Sequence, residues 1–191
     1  MKKVIVTLFI MLFVVSYTNA QSKGSIGVGA EVGLASGDFA DFFDYGAGFG
    51  GSARYEMSLT PTINGYISVG YLTWSGDYKY SSYEYNYVTN HLDAVEASFS
   101  TTTSAIVVMA GAKYYFVPNI YGVAEIGYSS FSFDAGGSSF GSLDSKLGFG
   151  AGAGIEIPMG TNLKLDCAAM YKLAATDFNY IDIRAGVKFG I

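Results

Sequence analysis

The sequence predicts an all-β chain folded as an eight-stranded antiparallel up-and-down transmembrane β-barrel. Three observations predict it. Apolar residues recur at every second position through most of the chain, the period of a strand. The alternate face carries glycine and isolated charges. The connections between apolar runs alternate between tight and long. At 191 residues the chain has room for one domain. Half of it is hydrophobic and only 14% is charged, which excludes intrinsic disorder and falls below the roughly 25% charged residues of a soluble domain. A net charge of -5 and a pI near 4.7 exclude a basic nucleic-acid binder. The single cysteine, Cys167, excludes an intrachain disulfide framework.

The first element is an address. Met1-Lys2-Lys3 is basic, Val4 to Val15 is apolar apart from Thr7, and Ser16-Tyr17-Thr18-Asn19-Ala20 supplies small residues. This layout predicts a secretory signal peptide over 1–20, cut after Ala20. Its apolar run is about 12 residues, short of the ~20 that a spanning helix needs. The barrel domain is then 21–191, with no helical stretch expected in it.

Eight strands follow. The first alternates Ile26, Val28, Ala30, Val32 and Leu34 with Gly27, Gly29, Glu31 and Gly33. The second sets Phe49, Ala53, Tyr55 and Met57 against Gly50, Ser52, Arg54 and Glu56. The third carries Ile67, Val69 and Tyr71, and the fourth runs from Ile106 to Phe116 around Gly111 and Lys113. The fifth alternates Ala124, Ile126 and Tyr128 with Glu125 and Gly127. The sixth sets Leu147 to Ile157 against Gly148, Gly150, Gly152, Gly154 and Glu156. The seventh and eighth hold Lys164, Asp166 and Lys172, then Asp182, Arg184 and Lys188, opposite aliphatic faces. Each is about ten residues, the length that crosses a tilted bilayer span. Turns at Leu59–Asn64, Val117-Pro118-Asn119 and Pro158–Asn162 are tight, and the longest loop is expected from about Ser75 to Thr103. Short turns on one side and longer loops on the other are the layout of a membrane barrel.

A lipocalin-like soluble barrel shares this alternation with its faces reversed. Glycine argues for the membrane arrangement, because it weakens a solvated strand yet suits the crowded interior of a narrow barrel. Aromatics near the strand ends form two expected girdles: Tyr55, Tyr114, Phe116 and Phe189 at the turns, and Tyr71, Trp74, Tyr128, Tyr171 and Tyr180 at the loops. The inward face is then expected to hold a self-neutralising network of six acids (Glu31, Glu56, Glu125, Glu156, Asp166, Asp182) and six bases (Arg54, Lys113, Lys164, Lys172, Arg184, Lys188), since buried charges must pair. Hairpin register places Glu156 opposite Lys164 and Lys113 diagonal to Glu125. The other acids lie in the loops, opposed only by Lys79 and Lys146, so the outer surface should be negative.

The stretch Ala110-Gly111-Ala112-Lys113-Tyr114-Tyr115-Phe116 before a Pro-Asn turn, Tyr121-Gly122-Val123-Ala124-Glu125-Ile126-Gly127-Tyr128, the glycine-rich sixth strand and the closing Ile183-Arg184-Ala185-Gly186-Val187-Lys188-Phe189 resemble the small outer-membrane β-barrel family, of the outer membrane protein A and X type. The resemblance covers 21–191. It implies a monomer in outer-membrane lipid of a Gram-negative envelope, inserted by the barrel assembly machinery.

No catalytic pattern emerges. His91 is the only histidine and has no His-x-Ser context. Gly46-x-Gly48-x-x-Gly51 matches a dinucleotide string without its strand–turn–helix context. Asp38, Asp41 and Asp44 lack the turn glycine of a calcium loop. We therefore expect no enzyme, cofactor or metal site. Tyr78, Tyr80, Tyr83, Tyr85 and Tyr87, set among serine and asparagine, are the candidate binding residues, because rigid amphipathic tyrosine beside adaptable polar groups is good contact chemistry. The expected role is a structural and surface-interaction scaffold. A small porin-like channel or hydrophobic-solute conduit is the alternative, and a soluble ligand-binding barrel a weaker one.

Overall fold

A computed structural model describes residues 24–191 apart from 44, 87–90, 136–137, 143–144 and 175–177; side chains at 42–43, 78–82, 84, 86, 93–97, 99, 135 and 138–142 are also undescribed. The predicted signal peptide lies outside the described residues.

The strands are β1 (Gly24–Ser36), β2 (Ala47–Ser58), β3 (Ile63–Asn86), β4 (His91–Val117), β5 (Ile120–Ala135), the short β6 (Ser138–Ser142), β7 (Lys146–Pro158), β8 (Leu163–Ala174) and β9 (Phe178–Gly190). All described pairings are antiparallel. β1 pairs with both β2 and β9, from Ser25↔Gly190 to Ser36↔Asn179, and β4 with β5. The sheet thus closes into an eight-stranded barrel, with β6 an extra rung beside β5 above it. Closure leaves no free edge in the wall, which is why strands can cross lipid at all. The start of β1, the end of β9 and the short turns share one end.

The apolar faces point outward. Ile26, Val28, Val69, Ile106, Val108, Ile126, Phe149 and Ile183 are all exposed, while the alternate positions are buried or half-buried. The soluble lipocalin-like arrangement is therefore not adopted. Most girdle residues, Tyr55, Tyr71, Tyr114, Phe116, Tyr128, Tyr171 and Phe189, face outward as expected.

Four expectations need correction. Trp74 and Tyr180 are fully buried inside the barrel, not in the outer girdle; they share the inward parity of Leu72 on β3 and Asp182 on β9. The expected loop from Ser75 to Thr103 is mostly ladder, continuous from Ser75↔Thr102 to Asn86↔His91. A short helix, α1 (Asp38–Phe43), occupies the first loop, where the pattern predicts none. Finally, Glu156 is opposite Asp166, and Lys164 is opposite Pro158, because the turn is centred one residue later than the apolar pattern indicates, which shifts the pairing by two.

Glycine makes room for large neighbours across the wall. A Cβ on Gly48 would meet the Trp74 indole at 2.5 Å, and one on Gly154 would collide with the Tyr121 ring. An interior eight strands wide accepts these rings only over bare backbone.

Candidate functional site

The lumen holds two layers of charge beneath a layer of carbon, and the strand register sets both charge layers. At the turn end, inward positions on β2, β4, β7, β8 and β9 converge. Lys113 sits at the centre with a fully buried side chain. Its ammonium lies 2.9 Å from Glu56 Oε2, 3.0 Å from Glu156 Oε1 and 2.8 Å from Asp166 Oδ2. Lys188 bridges Glu56 at 3.0 Å and also pairs with Glu156. Lys164 reaches Glu156 at 3.1 Å from a half-exposed position at the mouth. Tyr115 donates its hydroxyl to Glu156 at 2.6 Å, Asn64 donates to Glu56 at 2.7 Å, and Tyr121 donates to Asp166. Glu56, Glu156 and Asp166 offer oxygens within 4.8 Å of one another, a spacing that suits a metal ion, but the Lys113 ammonium already stands among them and supplies the positive charge.

One layer up, Lys172 bridges Glu125 at 3.2 Å and Asp182 at 2.9 Å, and Arg184 lies 4.0 Å from Glu31. Tyr66 donates its hydroxyl to Glu125 at 2.6 Å and packs its ring 4.2 Å from the Arg54 guanidinium. All twelve sequence-predicted charges thus face inward, and eleven are buried. Lys113 is diagonal to Glu125 in register, but their partners differ: Lys113 pairs with the turn-end acids and Glu125 with Lys172. A hairpin register shows neighbours along the wall and cannot show which charges meet across the lumen.

The loop end is closed by carbon. Phe39, from α1, drops into the barrel among Tyr45, Trp74, Phe131 and Phe178, with ring centroids 5.2–6.5 Å apart and edge-on geometry throughout. Leu72, Ala105, Val107, Met109, Ala174 and Tyr180 complete the cluster. The Tyr45 hydroxyl hydrogen-bonds Thr103 Oγ1 at 2.6 Å, and Trp74 Nε1 donates to Gly33 O at 2.7 Å. Gly37, at φ +59°, turns the chain from β1 into α1, a conformation glycine adopts without strain. Phe39→Ala is expected to cost about 3–5 kcal/mol, the range for truncating a packed aromatic; urea unfolding of the protein in detergent micelles measures it. An unchanged midpoint would mean that α1 does not pack as described.

A closed antiparallel barrel with an apolar exterior, a charged lumen and short turns at one end has one established setting. A family model described as an outer membrane protein beta-barrel domain matches residues 5–189. The chain belongs to that family. Solved structures agree in fold. Ail, the attachment invasion locus protein of Yersinia pestis, is 16% identical over 89% of this chain and 99% of its own, with a TM-score of 0.55. Neisserial surface protein A is 16% identical over 87% and 96%, at 0.56. A major outer membrane protein from Thermus thermophilus is 14% identical over 90% and 100%, at 0.58. No curated protein matches the chain in sequence.

In an outer-membrane barrel the short turns face the periplasm and the longer loops the exterior. The ion network is then on the periplasmic side and the aromatic plug on the outer side. Of the candidate tyrosines, Tyr83 and Tyr85 are exposed on the distal part of β3. Tyr78 and Tyr80 lie on the same strand with undescribed side chains, and Tyr87 is outside the described residues. His91, at the start of β4, is exposed. Sequence reasoning missed the plug. The parity of Trp74 and Tyr180 and the Phe39-Ala40-Asp41-Phe42-Phe43 run inside an acidic loop were its available signals.

Proposed function

We propose that this outer-membrane barrel is a closed, non-enzymatic, monomeric scaffold that holds an acidic, tyrosine-bearing hairpin out to an extracellular partner. Cleavage of 1–20 would release it for the barrel assembly machinery, and outer-membrane lipid would then hold it. The observation that carries this reading is the length of β3 and β4. β2 stops pairing with β3 at Thr73, and β5 stops pairing with β4 at Thr101. The β3–β4 ladder nevertheless continues from Asp77↔Ser100 to Asn86↔His91. At ~3.3 Å per residue those rungs project about 30 Å beyond the wall. The free edges of such a ladder can add a partner strand, and Tyr83, Tyr85 and Leu92 stand exposed beside them.

Charge narrows the partner. Outside the lumen set, the sequence carries Asp38, Asp41, Asp44, Asp77, Glu84, Asp93, Glu96, Asp134, Asp144 and Asp177 against Lys79 and Lys146 in the loop-end strand extensions and the segments that join them. Ail has been crystallised with sucrose octasulfate, a heparin analogue; the acidic loops of this chain favour a neutral or cationic protein surface instead, since like charges repel an approaching polyanion. The filled lumen weighs against the channel and conduit readings.

The test is to trim the hairpin from Lys79 to Ser98 and close it with an Asn-Gly turn. The barrel should fold with unchanged stability, because the removed rungs touch neither β2 nor β5. Adhesion of expressing cells to immobilised extracellular proteins should fall to the level of cells lacking the barrel. Adhesion equal to that of the full-length protein would refute the proposal.

A further inference from the structure

The wall fixes which backbone groups the projecting hairpin turns outward. At the turn end, Tyr115 donates its backbone N–H to Thr62 O at 2.9 Å, and Leu59 donates to Ile63 O at 2.9 Å. Backbone groups alternate sides along an antiparallel ladder. Even-numbered residues of β3 therefore bond β4, and odd-numbered ones bond β2. Both registers run without a break, so the parity holds to the end of β3. Thr101 Oγ1 donates to Gly76 O at 3.2 Å, on the β4 side, as that parity requires. β2 ends its pairing at Thr73. Beyond it, the N–H and C=O groups of Ser75, Asp77, Lys79, Ser81 and Tyr83 point along an edge that no described strand covers.

The opposite edge, on β4, is less open. In its line stands β5, which turns there into β6. In the line of β2 the chain leaves the wall instead, with Tyr45 buried in the lumen on Thr103. Exposed edges are usually blunted by proline, by bulges or by shortness. The run from Ser75 to Asn86 contains no proline, and its pairing with β4 contains no bulge.

Residues on this edge share the outward parity of Ile67 and Tyr71. Asp77 is exposed, and Ser100 donates to its Oδ1 at 2.9 Å. Tyr83 is 70% exposed. From Asp77 to Ser98 the chain sets Asp77, Glu84, Asp93 and Glu96 against Lys79. This field attracts a cationic strand, and a guanidinium over the Tyr83 ring adds a cation–π contact. β3 runs away from the membrane, so an antiparallel partner runs toward it. Its residues meet Tyr83, Ser81, Lys79 and Asp77 in that order, at every second position.

We propose, on the scaffold reading above, that the β3 edge takes up one extended protein segment in antiparallel register, with a basic residue opposite Tyr83, an acid opposite Lys79 and a basic residue opposite Asp77.

The probe is the labelled peptide Thr-Arg-Thr-Val-Thr-Glu-Thr-Arg-Thr, titrated by fluorescence anisotropy against the mature barrel in phospholipid nanodiscs. Saturable binding is expected, weaker by about tenfold or more for the charge-reversed peptide. Ser81→Pro removes one edge-facing N–H and leaves the bonds to β4 intact. It should weaken binding about tenfold at unchanged stability in urea, while Ser81→Ala retains it. No saturable binding up to about 1 mM peptide, or equal binding by Ser81→Pro, overturns the proposal. Equal binding of the charge-reversed peptide overturns the charge order. Adhesion of expressing cells separates this from the scaffold reading. Adhesion lost on trimming the hairpin but kept in Ser81→Pro removes the edge alone, whereas adhesion that survives trimming removes the scaffold reading itself.

Discussion

Lys113→Met should destabilise the barrel by about 3–5 kcal/mol, the cost of breaking a buried ion pair from one side. The substitution keeps a long unbranched side chain and removes its charge. It leaves Glu56, Glu156 and Asp166 within 4.8 Å of one another, with Lys188 the remaining buried lysine bridging Glu56 and Glu156. Three crowded carboxylates in a narrow lumen repel, and water has little room to screen them. Urea unfolding in lipid vesicles measures the loss. The double variant Lys113→Met/Glu156→Gln should recover part of it, because neutralising one carboxylate relieves the repulsion. Contacting charges couple in this non-additive way. If Lys113→Met lay within about 1 kcal/mol of the wild type, the network would not be the buried cluster described.

Ile126→Arg tests the opposite face. Ile126 lies near the middle of the membrane-crossing part of β5, between Ala110 and Phe149 on the neighbouring strands, and its side chain is exposed. On a water-facing surface such a change stays within about ±0.5 kcal/mol. At the centre of a bilayer it costs about 2–4 kcal/mol. The same unfolding measurement is expected to show the larger figure in vesicles. A near-zero change there would mean that this face does not meet lipid.

The wall of the barrel was legible because its signal is local. Period two shows in any window of about ten residues, and a glycine-for-polar face such as Gly148 to Gly154 identifies a narrow interior without knowledge of the partner strand. The same counting placed all twelve charges inward. What did not show was who meets whom across the lumen. Lys113 lies on β4, whereas its acids come from β2, β7 and β8, and β4 shares no hairpin register with any of the three. The plug failed for a related reason. Phe39 belongs to a loop, and the depth it reaches is set by Trp74, Phe131 and Phe178 on three distant strands. Trp74 and Tyr180 show a second limit. Aromatic residues near strand ends suit a membrane girdle and a lumen plug equally, and only strict parity separates the two.

The central claim is that the lumen is closed, by an ion network toward the periplasmic side and by carbon at the outer side. Single-channel recording of the mature protein refolded into a planar bilayer tests it most directly. The account predicts stable insertion with no unitary conductance across the voltage range the bilayer tolerates. Reproducible openings, altered by Lys164→Gln or Glu156→Gln, would contradict it and would establish the barrel as a conduit.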